Sequence, residues 1–515
     1  MKEKLYTIGI DSGTQSTKAV LMDIGTGRVC ASASATYRLY EGPDGSREQD
    51  PQDWVRAVRT SVCAVVRAGR VKPEQVLGIG VSGQQHGLVA LDKEGRVIRR
   101  AKLWNDSSTA AQCEYLINRL GGVKKTIGTI GNTIPPGFTA SKIRWLKERE
   151  PENYARLALI LLPHNYINYW LTGVAVMEPG DASGTAFYDV VHRRWSEAAL
   201  RAIDEERDLR ECLPPLQESH EVVGKVRAEV AKELGLSRDC IVATGGGDNM
   251  MSAIGTGNVR PGVVTASLGT SGTIFAYAER PVIDRRAGEI AAFCSSTGGW
   301  LPLLCVMNCT VSTEVVKQAF GLTTEELTRL AGRVGVGAEG VLLLPYFTGE
   351  RTPNVPHGRG VWYGLTVQNF TAGHMARAAM EGAVLGMNYG LERMRELGVK
   401  PTQIRLTGGG AKNPLWRQIC ADVFNVECVT MQIEEAAALG GAIQALWAYE
   451  CQREGFRPIT ALTDRLVQMG RGRHTPDAEN AKKYSVLYAR QCSLSKQMRP
   501  IFEEHAQSVQ RGEGV

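Results

Sequence analysis

The chain has 515 residues, of which 43% are hydrophobic and 22% are charged, proportions close to those of ordinary globular proteins. This length and composition predict two or more folded domains and exclude a disordered, fibrous or low-complexity protein. The 60 Lys and Arg residues exceed the 54 Asp and Glu residues by only six, and no basic run concentrates the excess, so we expect no nucleic-acid or membrane partner.

Twelve cysteines are spread along the chain without a CxxC spacing, a pattern typical of reduced thiols rather than of a disulfide framework. Glu3 and Asp11 fall where a secretory signal needs an unbroken apolar stretch. No window approaches the roughly 18 apolar residues of a membrane span. We therefore expect a soluble, cytoplasmic protein.

The N-terminal segment predicts a β-hairpin with a polar tip. Residues 5–10 are typical of a buried strand, DSGTQST of a turn, and Lys18–Met22 of the returning strand. From Asp11 to Lys18, eight positions carry a carboxylate, four hydroxyls, a glycine and an ammonium group. Such a set suits a phosphate and its metal ion, with Lys18 neutralising charge and Asp11 holding Mg²⁺. An ordinary polar turn is the alternative.

The next predicted elements extend the sheet and then become helical. Val76–Val81 and Leu88–Leu91 are typical of strands, whereas residues 108–172 repeat apolar positions three and four apart. Gly78–Gly83 and Gly335–Gly340 match GxGxxG, but neither lies between a strand and a helix, so we expect no dinucleotide site. The chain also has no GxxxxGK[ST] motif, which excludes a P-loop NTPase.

Polar and aromatic groups follow the strand at 76–81. Gln84, Gln85 and His86 come first, and Trp104 and Asp106 lie farther along the chain. A polyhydroxylated ligand needs many donors and acceptors together with an aromatic or apolar wall. These residues therefore predict a sugar-like ligand, with a hydrogen-bonded structural role for His86 as the alternative.

Near the middle of the chain, a strand at Ile241–Thr244 runs into three glycines and Asp248, and a helix-like segment follows. Asp248 is placed either to cap that helix or to act as a general base, an effect worth about 10²–10⁴ in rate. The glycine- and proline-containing segment 255–262 then interrupts the pattern. It predicts two domains, 1–254 and 255–515.

The second half of the chain repeats the plan of the first. Gly262–Ala278 has the strand, polar turn and strand of Tyr6–Met22, and its tip Leu268–Thr273 is a second phosphate-type turn. Gln403–Leu406 then leads into three glycines and a helix, as the segment before Asp248 does. Two such α/β halves predict a duplicated fold with a cleft between the copies.

Two local features complete the predicted elements. Thr475 and Pro476 are typical of a helix start and predict a closing helix that runs to about Ser495. Cys305 and Cys309 lack the partners of a zinc site and predict helical or core packing.

These motifs resemble the FGGY carbohydrate kinases, within the superfamily of sugar kinases, actin and heat-shock chaperone ATPases. The family's first phosphate hairpin resembles IGIDSGTQSTKAVL, its second ASLGTSGT, its catalytic turn ATGGGDN, and its adenosine-side signature LTGGGAKNPLWRQICADV with AAALGGAI. Kinases of D-xylulose are the members most similar in EQDPQDW, SGQQHGLV, LWND, PGFTASKIRWLK, LLPHNYINYWLTG and GDASGTAFYDV. The resemblance implies an α/β fold of two actin-like (ribonuclease H-like) domains flanking a cleft for ATP, Mg²⁺ and a sugar.

The resemblance also implies roles for individual residues. Asp248 would accept the proton of the sugar hydroxyl, and Asp11 would hold the Mg²⁺ of ATP. The sugar would be bound by Gln85, His86, Trp104, Asp106, Asp248 and Asn249. The phosphates and adenosine of ATP would be bound by Thr14, Gln15, Lys18, Gly269, Thr270, Gly409, Gly410 and Asn413.

We therefore expect ATP-dependent phosphorylation of a ketopentose, with the 5-hydroxyl of D-xylulose as the first candidate. Many D-xylulose kinases have Met at the position of Gln85, and an amide adds a donor and an acceptor beside the sugar. A kinase for another ketose or polyol, such as ribulose, L-xylulose or ribitol, is thus the nearest alternative. A non-catalytic actin-like ATP-binding sugar sensor is the alternative of another class, and Asp11 and Asp248 argue against it. Family members often form homodimers, so the resemblance leaves a homodimer open.

Overall fold

The computed structural model describes residues 4–511 and contains two large β-sheets that follow one another along the chain. The strands of the first half are β1 Tyr6–Ser12, β2 Ser16–Asp23, β3 Val29–Thr36, β4 Tyr40–Glu41, β5 Arg47–Gln49, β6 Val76–Gly83, β7 Val89–Leu91, β8 Ala101–Lys102, β9 Leu159–Leu161, β10 Tyr188–Asp189, β11 Arg194–Trp195, β12 Val222–Lys225, β13 Ile241–Ala243 and β14 Gly246–Gly247. Those of the second half are β15 Val263–Leu268, β16 Gly272–Ala276, β17 Ala291–Cys294, β18 Trp300–Val306, β19 Leu342–Pro345, β20 Gly360–Tyr363, β21 Gln403–Thr407, β22 Glu427–Met431 and β23 Met469–His474.

The helices cover the faces of these sheets. They are α1 Pro51–Gly69, α2 Ala110–Arg119, α3 Val123–Ile130, α4 Thr139–Arg149, α5 Pro151–Arg156, α6 Pro163–Thr172, α7 Pro179–Ala182, α8 Glu197–Ile203, α9 Ala228–Leu234, α10 Asp248–Gly255, α11 Val311–Phe320, α12 Thr324–Ala331, α13 Ala372–Glu396, α14 Pro414–Phe424, α15 Ala436–Glu454, α16 Thr460–Leu466 and α17 Ala478–Gln510. Short 3₁₀ helices span Pro73–Gln75, Leu209–Cys212, Ala338–Gly340 and Gly409–Lys412.

Both large sheets follow the same plan, as the repeat in the sequence predicts. In the first, the order β12-β13-β6-β1-β2-β3 places the antiparallel hairpin β1–β2 beside the parallel strand β6, with which β14 also pairs. In the second, the order β17-β18-β16-β15-β21-β22-β23 places the antiparallel hairpin β15–β16 beside the parallel strand β21. Each half therefore brings a hairpin tip and the end of a parallel strand to one edge of its sheet. The predicted α/β class with two sheet-containing halves is confirmed.

The predicted elements are largely present. The strands expected in the first hairpin and at 76–81 are confirmed as β1, β2 and β6, and α2 to α6 occupy most of the region with helical periodicity, interrupted by β9. The prediction missed β3, whose small Ala and Ser side chains alternate between half-buried and exposed positions. Such residues carry little of the apolar signal by which a strand is recognised.

The start of the closing helix was predicted wrongly. Asp477, rather than Thr475, caps α17, because its carboxylate accepts hydrogen bonds from the backbone N–H groups of Glu479 and Asn480 at 3.0 and 2.8 Å. The helix also continues to Gln510, beyond the predicted end. An Asp two residues after Thr475 was the stronger cap in the sequence.

Helix α15 lies against the first sheet although it belongs to the second half of the chain. A Cβ atom at Gly80 would come 2.0 Å from the carbonyl oxygen of Gly441, and one at Gly440 would come 1.8 Å from that of Met251 in α10. These glycines let α15 approach β6 and α10 backbone to backbone. The close packing explains why position 80, in the first GxGxxG match, is a glycine. A dinucleotide site is not needed to explain it. It also gives the AAALGGAI segment a part in joining the two halves.

The hydrophobic cores show how the halves are connected. One core lies between the first sheet and α1 and buries Trp54, and another surrounds α13 beside the second sheet. A third core combines residues of α10, α15 and β18 and so spans both halves.

All twelve cysteines are free thiols, and Cys305 and Cys309 are buried as expected. Within residues 4–511, no helix combines the length and apolar character that crossing a membrane requires.

Candidate active site

A cleft of about 610 Å³ opens between the hairpin tips of the two sheets. From the first half it is lined by Asp11, Gln85, His86, Trp104, Phe138, Asp248 and Asn249, among others. From the second half it is lined by Ser267, Gly269, Ser271, Thr273, Glu289, Phe293, Cys305, Arg351 and Thr407, among others. Seven of the residues that the sequence predicts for the site therefore share this cleft: Asp11, Gln85, His86, Trp104, Asp248, Asn249 and Gly269.

Asp248 lies at the turn from β14 to α10, and a hydrogen-bond network fixes its carboxylate. Oδ1 accepts hydrogen bonds from the backbone N–H and the side-chain amide of Asn249, at 2.8 and 3.0 Å. The same amide nitrogen donates to Oε1 of Gln85 at 3.0 Å. Gly247 occupies the helix-cap position, so capping does not explain Asp248. Nε2 of Gln85 is buried and lacks a hydrogen-bond partner within residues 4–511, which leaves a donor for a ligand.

The cleft contains two half-buried carboxyl groups, those of Asp11 and Asp248. Burial, reinforced by the nearby carboxylate of Asp11, raises the pKa of Asp248 to about 7, against the hydrogen bonds from Asn249. Burial also raises the pKa of Asp11, although Oγ of Ser82 donates a hydrogen bond to it at 2.8 Å. A cation close to Asp11 would favour the ionised form of both carboxyl groups and so lower their pKa values.

The EQDPQDW and LWND segments, together with Gln84, surround the tip of the first hairpin. Nε2 of Gln49 donates to the carbonyl oxygen of Thr14 at 2.6 Å. Its Oε1 accepts hydrogen bonds from Trp54 at 2.9 Å and from Gln84 at 2.8 Å. Nε1 of Trp104 donates to Oγ1 of Thr14 at 2.9 Å. Through these bonds, the EQDPQDW and LWND segments both hold the hairpin beside the cleft.

His86 forms an aromatic wall of the cleft with Phe138 and Phe293, whose ring centroids lie 4.4 and 5.7 Å from that of the imidazole. Its φ of 66° is in the left-handed region, which is uncommon for a residue other than glycine. Nζ of Lys142 and Oγ1 of Thr139 donate to its carbonyl oxygen at 2.6 and 3.1 Å. Burial, followed by the charge of Lys142, lowers the pKa of His86 well below its usual value. The imidazole is therefore neutral.

Asp106 was predicted to contact the sugar, but the residues described as lining the cleft do not include it. Its carboxylate accepts hydrogen bonds from Nζ of Lys102 at 3.1 Å, from Oγ of Ser108 at 2.6 Å and from the backbone N–H of Arg47 at 2.9 Å. The side chain is also fully buried. The structure thus gives Asp106 a complete set of protein partners, and a sugar contact for it stays a prediction.

The residues predicted to bind the phosphates lie at the two hairpin tips. Thr14 is half-buried, whereas Gln15, Lys18 and Thr270 are exposed. Nζ of Lys18 lies 3.9 Å from a carboxylate oxygen of Glu435, across the boundary between the halves. Only Gly269 of this group lines the cleft. Nucleotide binding by these residues stays a prediction.

The residues predicted for the adenosine side surround the turn between β21 and α14. A Cβ atom at Gly410 would come 2.9 Å from Cβ of Leu268, so this turn packs on the second hairpin. Gly409 is exposed and has free space around its Cα atom. Asn413 caps α14 through Oδ1 and donates to Oγ1 of Thr328 at 2.8 Å. Neither Gly409, Gly410 nor Asn413 is described as lining the cleft, and their contact with adenosine stays a prediction.

Several residues of the cleft were not predicted from the sequence. Phe138 and Phe293 carry the same signal as core residues, so pattern alone cannot assign them to a ligand wall. Arg351 was missed although GERTP places an arginine and a proline in a turn shortly after a buried strand, and that signal was available. Glu289 stands in a loop without a motif.

Two family models match the chain, the N-terminal domain of the FGGY family of carbohydrate kinases over residues 6–255 and the C-terminal domain over residues 264–449. The chain belongs to the FGGY family of carbohydrate kinases. It is 43% identical over 488 residues to a xylulose kinase of Haemophilus influenzae, a match that covers 94% of this chain and 98% of the relative. The resemblance drawn from the motifs is confirmed, and the chain is an ATP-dependent carbohydrate kinase.

Solved structures show the same architecture over nearly the whole chain. A ligand-bound xylulose kinase from Lactobacillus acidophilus has a TM-score of 0.90 at 25% identity and covers 97% of this chain and 99% of its own. A gluconate kinase from the same organism also has a TM-score of 0.90 at 25% identity, covering 98% and 100%. Since the two neighbours differ in their sugars, the overall fold does not distinguish these substrates.

Proposed function

We propose that this kinase transfers the γ-phosphoryl group of ATP to the 5-hydroxyl of D-xylulose, giving D-xylulose 5-phosphate and ADP. The similarity to the xylulose kinase of Haemophilus influenzae supports the sugar, because it extends over nearly all of both chains. The observation that carries the proposed chemistry is the position of Asp248. Its carboxylate, with a pKa of about 7, is tied through Asn249 to Gln85 in a cleft lined by both halves.

In the proposed mechanism the sugar lies against the His86 wall, and its reacting hydroxyl donates a hydrogen bond to Asp248. A base with a pKa near the working pH is ionised in a large fraction of molecules and still accepts a proton readily. Asp248 takes the hydroxyl proton as the sugar oxygen bonds to the γ-phosphorus. The bond from that phosphorus to the β,γ-bridging oxygen breaks, and ADP leaves. Closure of the halves would exclude water, which competes for the phosphoryl group.

Asp11 fits the expected Mg²⁺ of the nucleotide. Mg²⁺ prefers oxygen ligands and keeps several waters, and the half-buried carboxylate of Asp11 is a suitable ligand, directly or through water. Within residues 4–511, no group of three or more His, Cys, Asp or Glu side chains could hold a metal ion by itself. When bound, Mg²⁺ would offset the negative charge of the phosphates.

The two hairpin tips support a phosphate site between the halves. We assign Thr14, Gln15 and Lys18 of the first tip and Gly269 and Thr270 of the second to the phosphates, because Asp11 at the start of the first tip and Gly269 of the second line one cleft. We assign the adenosine to the turn that contains Gly409, Gly410 and Asn413, which packs on the second hairpin through Leu268.

Domain organisation, compartment and assembly are also proposals. Helix α10 ends at Gly255, which supports a boundary between domains 1–254 and 255–515. Twelve free thiols suit a cytoplasmic protein, since thiols stay reduced there. Light scattering would detect the homodimer that is common in the family.

The second candidate function is a kinase for another ketose, polyol or sugar acid. It is favoured by the equal structural similarity to a gluconate kinase and by the amide nitrogen of Gln85, which lacks a partner in the described chain. ADP release with MgATP should be compared for D-xylulose, D-ribulose, L-xylulose, L-ribulose, ribitol, glycerol and gluconate. The highest kcat/KM for D-xylulose is expected. A higher value for another compound contradicts the proposed sugar but not the chemistry, whereas sugar binding without turnover supports the non-catalytic sensor.

A further inference from the structure

The charge of the cleft is unevenly distributed. Among the described residues that line it, Arg351 is the one Lys or Arg side chain, while Asp11, Asp248 and Glu289 supply three carboxyl groups. No carboxylate within residues 4–511 forms an ion pair with the Arg351 guanidinium. A triphosphate entering a cleft with this lining is therefore attracted at Arg351 and repelled by ionised carboxylates elsewhere.

Arg351 also lies close to the second hairpin tip. The charge of its guanidinium lowers the pKa of the Cys305 thiol, although burial has the larger effect and raises it. Cys305 in β18 is paired with Thr273 in β16, at the base of the tip that contains Ser271. Cys305, Thr273 and Ser271 all line the cleft. The guanidinium is thus placed beside the hairpin to which we assign the phosphates.

The backbone that carries Arg351 is fixed at its base by Glu350. Glu350 and Val355 exchange two backbone hydrogen bonds of 2.8 and 2.9 Å, which close a tight turn around Arg351. The carboxylate of Glu350 accepts hydrogen bonds from the N–H of Met307 at 2.6 Å and from the amide of Asn308 at 3.1 Å. Both partners directly follow β18, the strand of Cys305.

The tip of the same turn is fixed by Glu289. Its Oε1 accepts a hydrogen bond from the backbone N–H of Asn354 at 2.9 Å, and its Oε2 accepts one from the hydroxyl of Tyr389 in α13 at 2.9 Å. Oγ1 of Thr352 also donates to the Glu289 carbonyl oxygen at 3.4 Å. Because the turn is anchored at both ends, Arg351 is held in place before the reaction begins. Electrostatic catalysis requires charged groups that are positioned in advance in this way.

We propose that Arg351 is a catalytic residue that binds the transferred γ-phosphoryl group from the second half of the chain, opposite Asp248 of the first half. The inference rests on the proposed function, because it requires phosphoryl transfer in this cleft. As the bond to the ADP oxygen breaks and the bond to the sugar oxygen forms, negative charge spreads over the three equatorial oxygens of the phosphoryl group. The guanidinium donates hydrogen bonds to these oxygens.

The test compares R351Q and R351K with R359Q in the full-length enzyme. Arg359 is an exposed arginine of the same loop, and its guanidinium donates to the carbonyl oxygens of His357 and Gly358. We expect kcat to fall about 10²–10³-fold in R351Q, the range measured when one charge-stabilising donor is removed, and less in R351K. D-xylulose binding, measured by isothermal titration, should change less than twofold, and R359Q should match the wild type.

Chemical rescue separates a role in the reaction from a structural role. Guanidinium ion added to R351A should raise its kcat at least tenfold. The same addition should leave the kcat of D248N unchanged. A kcat of R351Q within threefold of the wild type would overturn the inference, as would a loss confined to sugar affinity, which would make Arg351 a sugar ligand. If the wild type phosphorylates none of the sugars, the proposed function itself fails, a result distinct from an active wild type with an equally active R351Q.

Discussion

The ammonium group of Lys142 donates a hydrogen bond of 2.6 Å to the backbone carbonyl oxygen of His86. Lys142 is fully buried, and burial lowers its pKa from 10.5 to about 7. The bond lies behind the aromatic wall of the cleft and holds the residue whose φ is 66°. The backbone of His86 is thus held by a lysine whose charged form is disfavoured by burial.

This lysine should make stability depend on pH. Below about pH 7 both states bind the proton, whereas between pH 7 and the ordinary pKa of 10.5 only the unfolded state does. Stability rises with pH wherever the unfolded state binds more protons, by at most about 1.4 kcal/mol per pH unit for one group. The free energy of unfolding of the wild type relative to K142M should therefore increase between pH 7 and 10. Urea denaturation at several pH values measures it, with exposed K124M as the control. A difference that stays constant with pH contradicts the assignment.

Gln85 should contribute to the choice of sugar. Its Oε1 is bonded to Asn249, whereas its buried Nε2 has no hydrogen-bond partner in the described chain. A donor that pairs with one sugar hydroxyl penalises the epimer that leaves it unpaired. We expect Q85M to retain kinase activity but to change the ratio of kcat/KM for D-xylulose to that for D-ribulose about tenfold. An unchanged ratio would show that the amide does not contact the sugar.

The close packing of α15 on the first sheet should make Gly80 intolerant of any side chain. A methyl group there would come 2.0 Å from the carbonyl oxygen of Gly441, and backbone on both sides would have to move. Overpacking of this kind costs about 1–3 kcal/mol or more, so G80A should lower the melting temperature by several degrees. Gly335, from the other GxGxxG match, has free space around it, and G335A should melt like the wild type. Equal melting temperatures would contradict the packing argument.

The fold could be predicted from the sequence to the extent that local pattern determines it. Apolar runs bounded by polar glycine turns located β1, β2 and β15, and the repeat of that pattern indicated two halves with a cleft. The sequence did not reveal that α15 crosses to the first sheet, because the contacts of Gly80 with Gly441 join residues far apart in the chain. The helical periodicity of α15 is also weak, since it is buried on nearly all sides.

The site could be predicted where its residues stand next to glycine turns. Asp11, Asp248, Gln85 and His86 were found in this way, and all four line the cleft. Arg351 was not found, because its significance depends on being the one Lys or Arg among the described residues that line the cleft, which is a property of the assembled lining. Conversely, Asp106 looked like a ligand residue in sequence, but the fold gives its carboxylate a lysine, a serine and a backbone N–H.

The most direct test of the central claim, that Asp248 is the base of a sugar kinase, is the pH dependence of kcat/KM with D-xylulose and MgATP. A carboxylate with a pKa of about 7 must lose its proton to act, so kcat/KM of the wild type should fall about tenfold per pH unit below pH 7 and level off above it. D248N should bind the sugar but lose about 10²–10⁴-fold in kcat above pH 7, and its activity should not fall below pH 7 as that of the wild type does. A flat wild-type profile together with near-normal turnover by D248N would contradict the account.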